Sequence, residues 1–366
     1  MKNLFYQFFK NYDWYLFGAT IFLVAIGLAT LYSATTEYTL SSIAVKQSIN
    51  GSIGLFGLLL ISNIDYRVFK SYSGVLYIAT ILMLVAVKIF GFTVNAAQSW
   101  IDLGFFQLQP STLAQLLMII ILAKYFSENY EEMHHPKAIL KSGVYTAIPV
   151  VLIAWQPDFG SAIVVMFIWA AMLLASNAKR IYIWVLSILG LLSLPVIWTF
   201  LADYQKDRVY TFINPTADPM GAGWNVSQSM IAVGSGQFWG RGLGHGTQSQ
   251  LNFIPEKHTD FIFAMIAEEM GFFGVFLLLS LFLMLFFRGF KISVLARDFF
   301  GTYLAVGIMA MFFIHIVINV GMNVGLMPVT GIPLPLISQG GTAIVVNLAA
   351  IGILLSIFKK YKKIDF

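Results

Sequence analysis

The chain has 366 residues, 58% apolar and 11% charged, with mean hydropathy +0.80; a soluble domain carries roughly 25% charge, and a chain this apolar lacks the polar groups to cover a globule. A polytopic membrane protein is the class that remains. The lack of cysteine excludes disulfides, thiolate nucleophiles, iron–sulfur clusters and cysteine-ligated zinc, and the net charge of +5 matters through its placement along the chain, with no nucleic-acid partner expected.

A helix needs about 20 apolar residues to cross the hydrocarbon layer. Ten such stretches start near residues 14, 47, 73, 110, 139, 160, 181, 261, 299 and 341. The first runs from Trp14 to Tyr32 without a small-x-small cleavage site, so it reads as an anchor and not as a cleaved signal. The pattern predicts an all-α polytopic protein, a single transmembrane domain over residues 1–366 with both termini on one side. The tail lysines Lys359, Lys360, Lys362 and Lys363 make that side cytoplasmic. Counted loop by loop, 16 of the 22 lysines and arginines fall inside. Lys46, Lys88, Lys206, Arg208, Arg241 and Lys257 fall outside, which fixes the orientation.

Residues 202–260 form one long outer loop between the seventh and eighth spans, and long ordered loops usually carry function. In it Val226, Met230 and Val233 recur at helical spacing among polar residues. This predicts a helix lying in the membrane interface; a structural cover fits the pattern equally. Residues 234–246 contain six glycines around Arg241. Such a backbone can turn its N–H groups toward an anion, with the arginine forking onto phosphate oxygens, or it is simply a tight turn. Arg208, Lys206 and Lys257 make this surface basic, which suits a lipid-anchored diphosphate.

Phosphate-loop and zinc-protease motifs are absent, and the five histidines lack metal-ligand spacing. Asp260 stands where the eighth span begins. There a carboxylate either caps the helix or, ionised at the mouth of a bundle, takes a proton from a hydroxyl or holds a cation; spacing alone favours the cap. Glu268 and Glu269 follow roughly 12 to 14 Å down the helix axis, and carboxylates at that depth imply a polar cavity beneath the loop. His315, Asn319 and Asn323 make a polar stripe on the ninth span, by which helices bond one another as readily as a ligand. Pro328, Pro333, Pro335, Gly340 and Gly341 then break the backbone near the outer surface.

Several runs resemble the SEDS family of bacterial cell-wall polymerases, the group containing RodA and FtsW. They are QPDFGSA (156–162), NPTADPMGAGWN (214–225), GTQSQL (246–251), PEKHTDFIFAMIAEEMG (255–271) and PVTGIPLPLISQGG (328–341). The likeness covers essentially the whole chain, and GTQSQL with GIPLPL is closer to the RodA branch, which serves elongation. The resemblance implies a peptidoglycan glycosyltransferase of the bacterial cytoplasmic membrane that polymerises lipid II at the outer face. Its partners are lipid II, the lipid-linked glycan, membrane lipids and a class B penicillin-binding protein. It makes Asp260 the essential outer residue, as base or metal-positioning group, and thereby reverses the preference for the cap. Arg208 and Arg241 become diphosphate contacts, while Lys257, His258, Asp158, Glu268, Asn323 and Ser338, in or beside the matching runs, are substrate-binding candidates. A divalent cation, magnesium or manganese, is implied by resemblance only. Ser99, Thr112 and Gln115 stand where family members carry an arginine, a glutamate and a lysine, and Gln339 where tyrosine is common. A lipid II flippase using the same mouth, or an inactive scaffold for the penicillin-binding protein, are the alternatives.

Overall fold

A computed structural model describes residues 11–33, 40–94, 97–102, 104, 107–214, 222–251, 253–254 and 256–362. Lys2, Lys10, Lys363 and residues 215–221 of the NPTADPMGAGWN run lie outside the described residues. The first seven helices are α1 (Trp14–Ser33), α2 (Leu40–Asn63), α3 (Arg67–Phe90), α4 (Pro110–Glu128), α5 (Pro136–Trp155), α6 (Phe159–Leu174) and α7 (Arg180–Phe200). The long loop carries α8 (Asp203–Ile213), α9 (Ala222–Ser235) and the single turn α10 (Thr247–Gln250), and the chain closes with α11 (Ile262–Leu295), α12 (Phe299–Asn323) and α13 (Gly341–Lys362).

Among the described residues nine of these helices are long and apolar enough to span a membrane, and α6, with 16 residues, is a shorter tenth. A helix therefore stands at each of the ten predicted stretches, nine of them of spanning length. α2 and α3 begin several residues earlier than expected, because Lys46, Arg67 and Lys70 extend the helices beyond their apolar stretch. Proline at the first position opens α4 and α5, where its missing N–H costs no bond.

One element departs from the all-helical expectation. Between α3 and α4, strands β1 (Phe92–Val94), β2 (Ala97–Asp102) and β3 (Gln107–Leu108) form an antiparallel sheet in the order β1-β2-β3, with Ile101 opposite Leu108 and Asp102 opposite Gln107. Strands of two to six residues leave too short an alternation to stand out between apolar spans.

The core centres on α12 and α13. α13 packs most extensively along α2 and also meets α4, α11 and α12, whereas α12 packs on α4, α6 and α11. α7 has no buried residue. At the lysine-bearing end, charged groups are paired: Arg288 Nε donates to both carboxylate oxygens of the fully buried Asp13, at 3.0 and 2.8 Å. There too Arg67 and the Tyr66 hydroxyl both reach Asp298, each at 2.9 Å.

The 34 residues of α11 would extend roughly 51 Å as one straight helix, far beyond the ~30 Å hydrocarbon layer. Gly271 breaks it, at φ 62° and ψ −162°. Phe272–Leu295 remains as the spanning part, and Ile262–Met270 becomes a separate crosspiece whose residues are buried up to Glu269. Its first end is tied to the end of α12 and its last to Ser33 at the end of α1. The backbone groups freed at the break are taken up by the glycine loop: Arg241 and Gly242 N–H donate to the carbonyls of Glu268 and Glu269 at 3.0 and 2.9 Å, and Phe272 and Phe273 N–H donate to the carbonyls of Gln237 and Phe238 at 2.9 and 3.2 Å. The two backbones are too close for side chains, since a Cβ on Gly271 would stand 2.2 Å from Gly240 N, and one on Gly240 2.2 Å from Glu269 O.

The break corrects one expectation. Glu268 and Glu269 do not descend into the bundle below Asp260; they sit buried at the far end of the crosspiece. For α9, the packing favours the structural cover over a helix lying free in the interface. α9 buries Gly223, Val226, Ser229 and Ala232 and packs against α11, while Met230 lies partly exposed with its sulfur against Gly325.

Candidate active site

The turn that carries Asp260 winds on one acceptor, because the N–H groups of Thr259, Asp260 and Phe261 all donate to the carbonyl of Glu256, at 3.3, 3.1 and 3.2 Å. Three elements hold it. From α12, the Asn319 and Asn323 amides donate to the Asp260 carbonyl at 3.0 and 2.9 Å. From the proline-rich loop, the Ser338 hydroxyl donates to the Thr259 carbonyl at 2.7 Å and the Gln339 N–H to the His258 carbonyl at 3.0 Å. Beneath, Lys257 is buried and its ammonium donates to the Ser249 carbonyl. Gln47 in α2 braces the loop in turn, donating to the Ser338 carbonyl and accepting from Gly340 N–H, both at 3.2 Å.

Asp260 does not cap its helix. No side chain adjacent to α11 caps it; instead Oδ1 of Asn323, fully buried, accepts the Ala264 N–H at 3.0 Å. The Asp260 carboxylate faces Gly331, where a Cβ would stand 3.6 Å from Oδ2. Burial pushes its pKa up to about 6, and the neighbouring Glu256 charge adds to this while Arg208 and Thr259 act against it. Arg208 lies over the Tyr204 ring, 5.7 Å from its centroid, and Tyr204 is tied through its hydroxyl to the Pro157 carbonyl at 3.0 Å. α8 therefore holds one guanidinium within electrostatic reach of the carboxylate, without an ion pair to it.

The remaining predicted residues divide. Asp158 spends its carboxylate on structure, capping α6 through Ser161 N–H at 3.1 Å and accepting from the Ser111 hydroxyl at 2.7 Å. His258 is half-buried, and burial with the Lys257 charge pushes its pKa down to about 4, so it is neutral at pH 7. Burial also lowers Lys257, opposed by the charges of Glu269 and Glu268. Glu268 accepts from Gln248 and Ser249 N–H at 2.8 and 3.1 Å, and Glu269 from the Ser33 hydroxyl and Gly244 N–H at 2.7 and 3.2 Å. The glycine loop thus gives one N–H, that of Gly244, to the chain's own Glu269, while Glu268 is held by the turn that follows the loop. Arg241, exposed and bonded to Ser235 O and Thr247 Oγ1, stands at this far end, separated from Asp260 by roughly the 12 Å of the crosspiece. The structure brings Arg208, Asn323 and Ser338 to Asp260; it does not bring Arg241 or Glu268 there.

Ser99 and Gln115 are both buried, and the Thr112 hydroxyl donates to Gln109 Oε1 at 2.8 Å. Sequence reasoning did not single out Gln47, Tyr204 or Gly331. Gln47 alone carries a signal, as a polar side chain inside an apolar span.

Among the described residues no cluster of three or more histidine, aspartate and glutamate side chains is placed to hold a metal ion. Asp260 and Glu256 are near enough for their charges to interact, and two carboxylates would suit magnesium or manganese only with substrate phosphate oxygens and water completing the shell.

A family model described as cell cycle protein, covering FtsW, RodA and SpoVE, matches residues 12–363. The peptidoglycan glycosyltransferase MrdB of Escherichia coli (strain K12) is 38% identical over 354 residues, 94% of this chain and 94% of that protein. The peptidoglycan glycosyltransferase RodA of Treponema pallidum is 31% identical, over 95% of this chain and 98% of its own length. Among solved structures, a chain of a peptidoglycan synthase complex, described as coordinating polymerization and crosslinking, superposes with a TM-score of 0.80 at 29% identity, covering 96% of this chain and 99% of that one. The rod shape-determining protein RodA of Thermus thermophilus gives 0.72 at 26% identity, over 96% and 98%.

Proposed function

This chain belongs to the cell cycle protein family of FtsW, RodA and SpoVE, and from that premise we propose that it is a peptidoglycan glycosyltransferase that polymerises lipid II during elongation, with its Asp260 end at the outer face of the bacterial cytoplasmic membrane. The observation that carries the site assignment is the transfer of the capping duty from Asp260 to Asn323. It leaves a carboxylate of raised pKa free at the mouth of the bundle, and a general base works best with a pKa near the operating pH. In the reaction the 4-hydroxyl of the incoming GlcNAc forms a bond to C1 of the terminal MurNAc, the bond from C1 to the diphosphate oxygen breaks, and the hydroxyl proton passes to Asp260. Arg208 steadies the negative charge that gathers on the departing undecaprenyl diphosphate. Asp260, with Glu256 nearby, is the group that would hold a divalent ion, which would supply positive charge against the same diphosphate. A crosslinking transpeptidase of the class B penicillin-binding type is the expected partner.

The test uses purified protein in detergent, where there is no second compartment to transport into. Labelled lipid II is expected to lengthen into glycan, with the product lost in Asp260→Ala. Absence of product from wild type, with and without the transpeptidase, refutes the glycosyltransferase reading in favour of transport or scaffolding.

A further inference from the structure

Asn319 is fully buried in α12, and its amide nitrogen donates to two carbonyls on different segments, Asp260 at 3.0 Å and Ile332 at 2.8 Å. Those segments are the two walls of the site: one bears the carboxylate, and the other bears Gly331, facing it 3.6 Å beyond the place of a Cβ. We propose that Asn319 is a positioning residue for the glycosyl transfer, fixing the width of the gap between the Asp260 carboxylate and the Gly331 wall in which the attacking sugar hydroxyl is held. This rests on the glycosyltransferase reading above and specifies how its site is held.

The chemistry of the side chain suits the task. A primary amide nitrogen carries two N–H groups, one for each carbonyl. Aspartate has the same shape but, ionised, only accepts, so it would set a negative charge against two carbonyl oxygens. Asn323, one turn on, supplies the vertical constraint: it donates to the Asp260 carbonyl at 2.9 Å and to the Asn319 carbonyl at 2.8 Å, and caps the crosspiece. Ser338 ties the two walls to each other, through the Thr259 carbonyl and the Leu334 N–H. Asn319 ties both to α12, and no other described side chain is seen to bond both Asp260 and Ile332. The charges that face the carboxylate are Glu256 from its own turn and Arg208 from α8. α12 presents amides there, and residues 328–340 contain no ionisable side chain.

A misplacement of about 1 Å costs on the order of 100-fold in rate. In detergent-purified full-length protein, Asn319→Asp is expected to lower kcat for lipid II polymerisation roughly 10- to 100-fold with KM within about twofold of wild type. Asn319→Ser, which keeps a single donor and is the milder change to the fold, should fall between the two. Opening the gap lets water reach the carboxylate, so the acid limb of the rate profile should move below its wild-type midpoint. Well-folded Asn319 variants with wild-type kcat, or with a change confined to KM, overturn the proposal while leaving the function intact. A wild type that makes no glycan overturns the functional reading and this inference together.

Discussion

The raised pKa of Asp260 makes the site a destabilised one, and that cost can be measured without any substrate. Lifting the carboxyl from 3.8 to about 6 corresponds, at about 1.4 kcal/mol per tenfold, to about 2 to 3 kcal/mol with allowance for the partial exposure of the group. For an acid whose folded pKa lies above its unfolded one, the penalty is absent below the unfolded value, grows as the pH rises between the two, and is complete above about 6. Asp260→Asn removes the charge and keeps the shape, so it should stabilise the protein by about 2 to 3 kcal/mol at pH 7.5 and by almost nothing at pH 4. Thermal unfolding in detergent, followed by intrinsic tryptophan fluorescence from pH 4 to 8, should show the two proteins diverging by a few degrees as the pH rises. A variant less stable than wild type at neutral pH would mean that the carboxylate is a cap or a strong partner of Arg208. That result would refute the argument, as would a gain independent of pH.

Gly271→Ala places a Cβ 2.2 Å from Gly240 N at a positive φ; a loss of at least about 3 kcal/mol is expected, with rapid proteolysis within residues 236–246 as the readout, and a wild-type melting temperature would contradict the described break. Asp158→Ala removes the cap of α6 and the partner of Ser111; it should cost about 1 to 2 kcal/mol of stability, with KM for lipid II unchanged. A large KM increase at full stability would instead make Asp158 a substrate ligand.

The spans were legible in the sequence because burial in lipid demands an unbroken apolar run, and nothing else in the chain produces one. The break at Gly271 was less legible, since one glycine among 30 has no distinctive spelling; the signal was the excess length of the run from Ile262 to Leu295. Asp260 as a helix cap was the reading that spacing supports, and it failed because the competing acceptor, Asn323, comes from another helix 59 residues from Ala264. The glycine loop likewise suggests an anion it can hold, while the carboxylate it does bond, that of Glu269, falls deep in the bundle only if the helix is straight. In each case a contact between distant segments decided what a local pattern left open.

The pairing of α13 with α2 has a consequence for manufacture. A ribosome releases residues 40–63 nearly three hundred residues before it releases their chief neighbour, so the second span must wait in the bilayer without its mate until the end of translation. Gln47 waits as well, because Ser338 and Gly340 are among the last groups made. A nascent chain stopped short of residue 338 therefore lacks the brace on which the Asp260 turn rests, and the site is among the last parts of the molecule to be assembled.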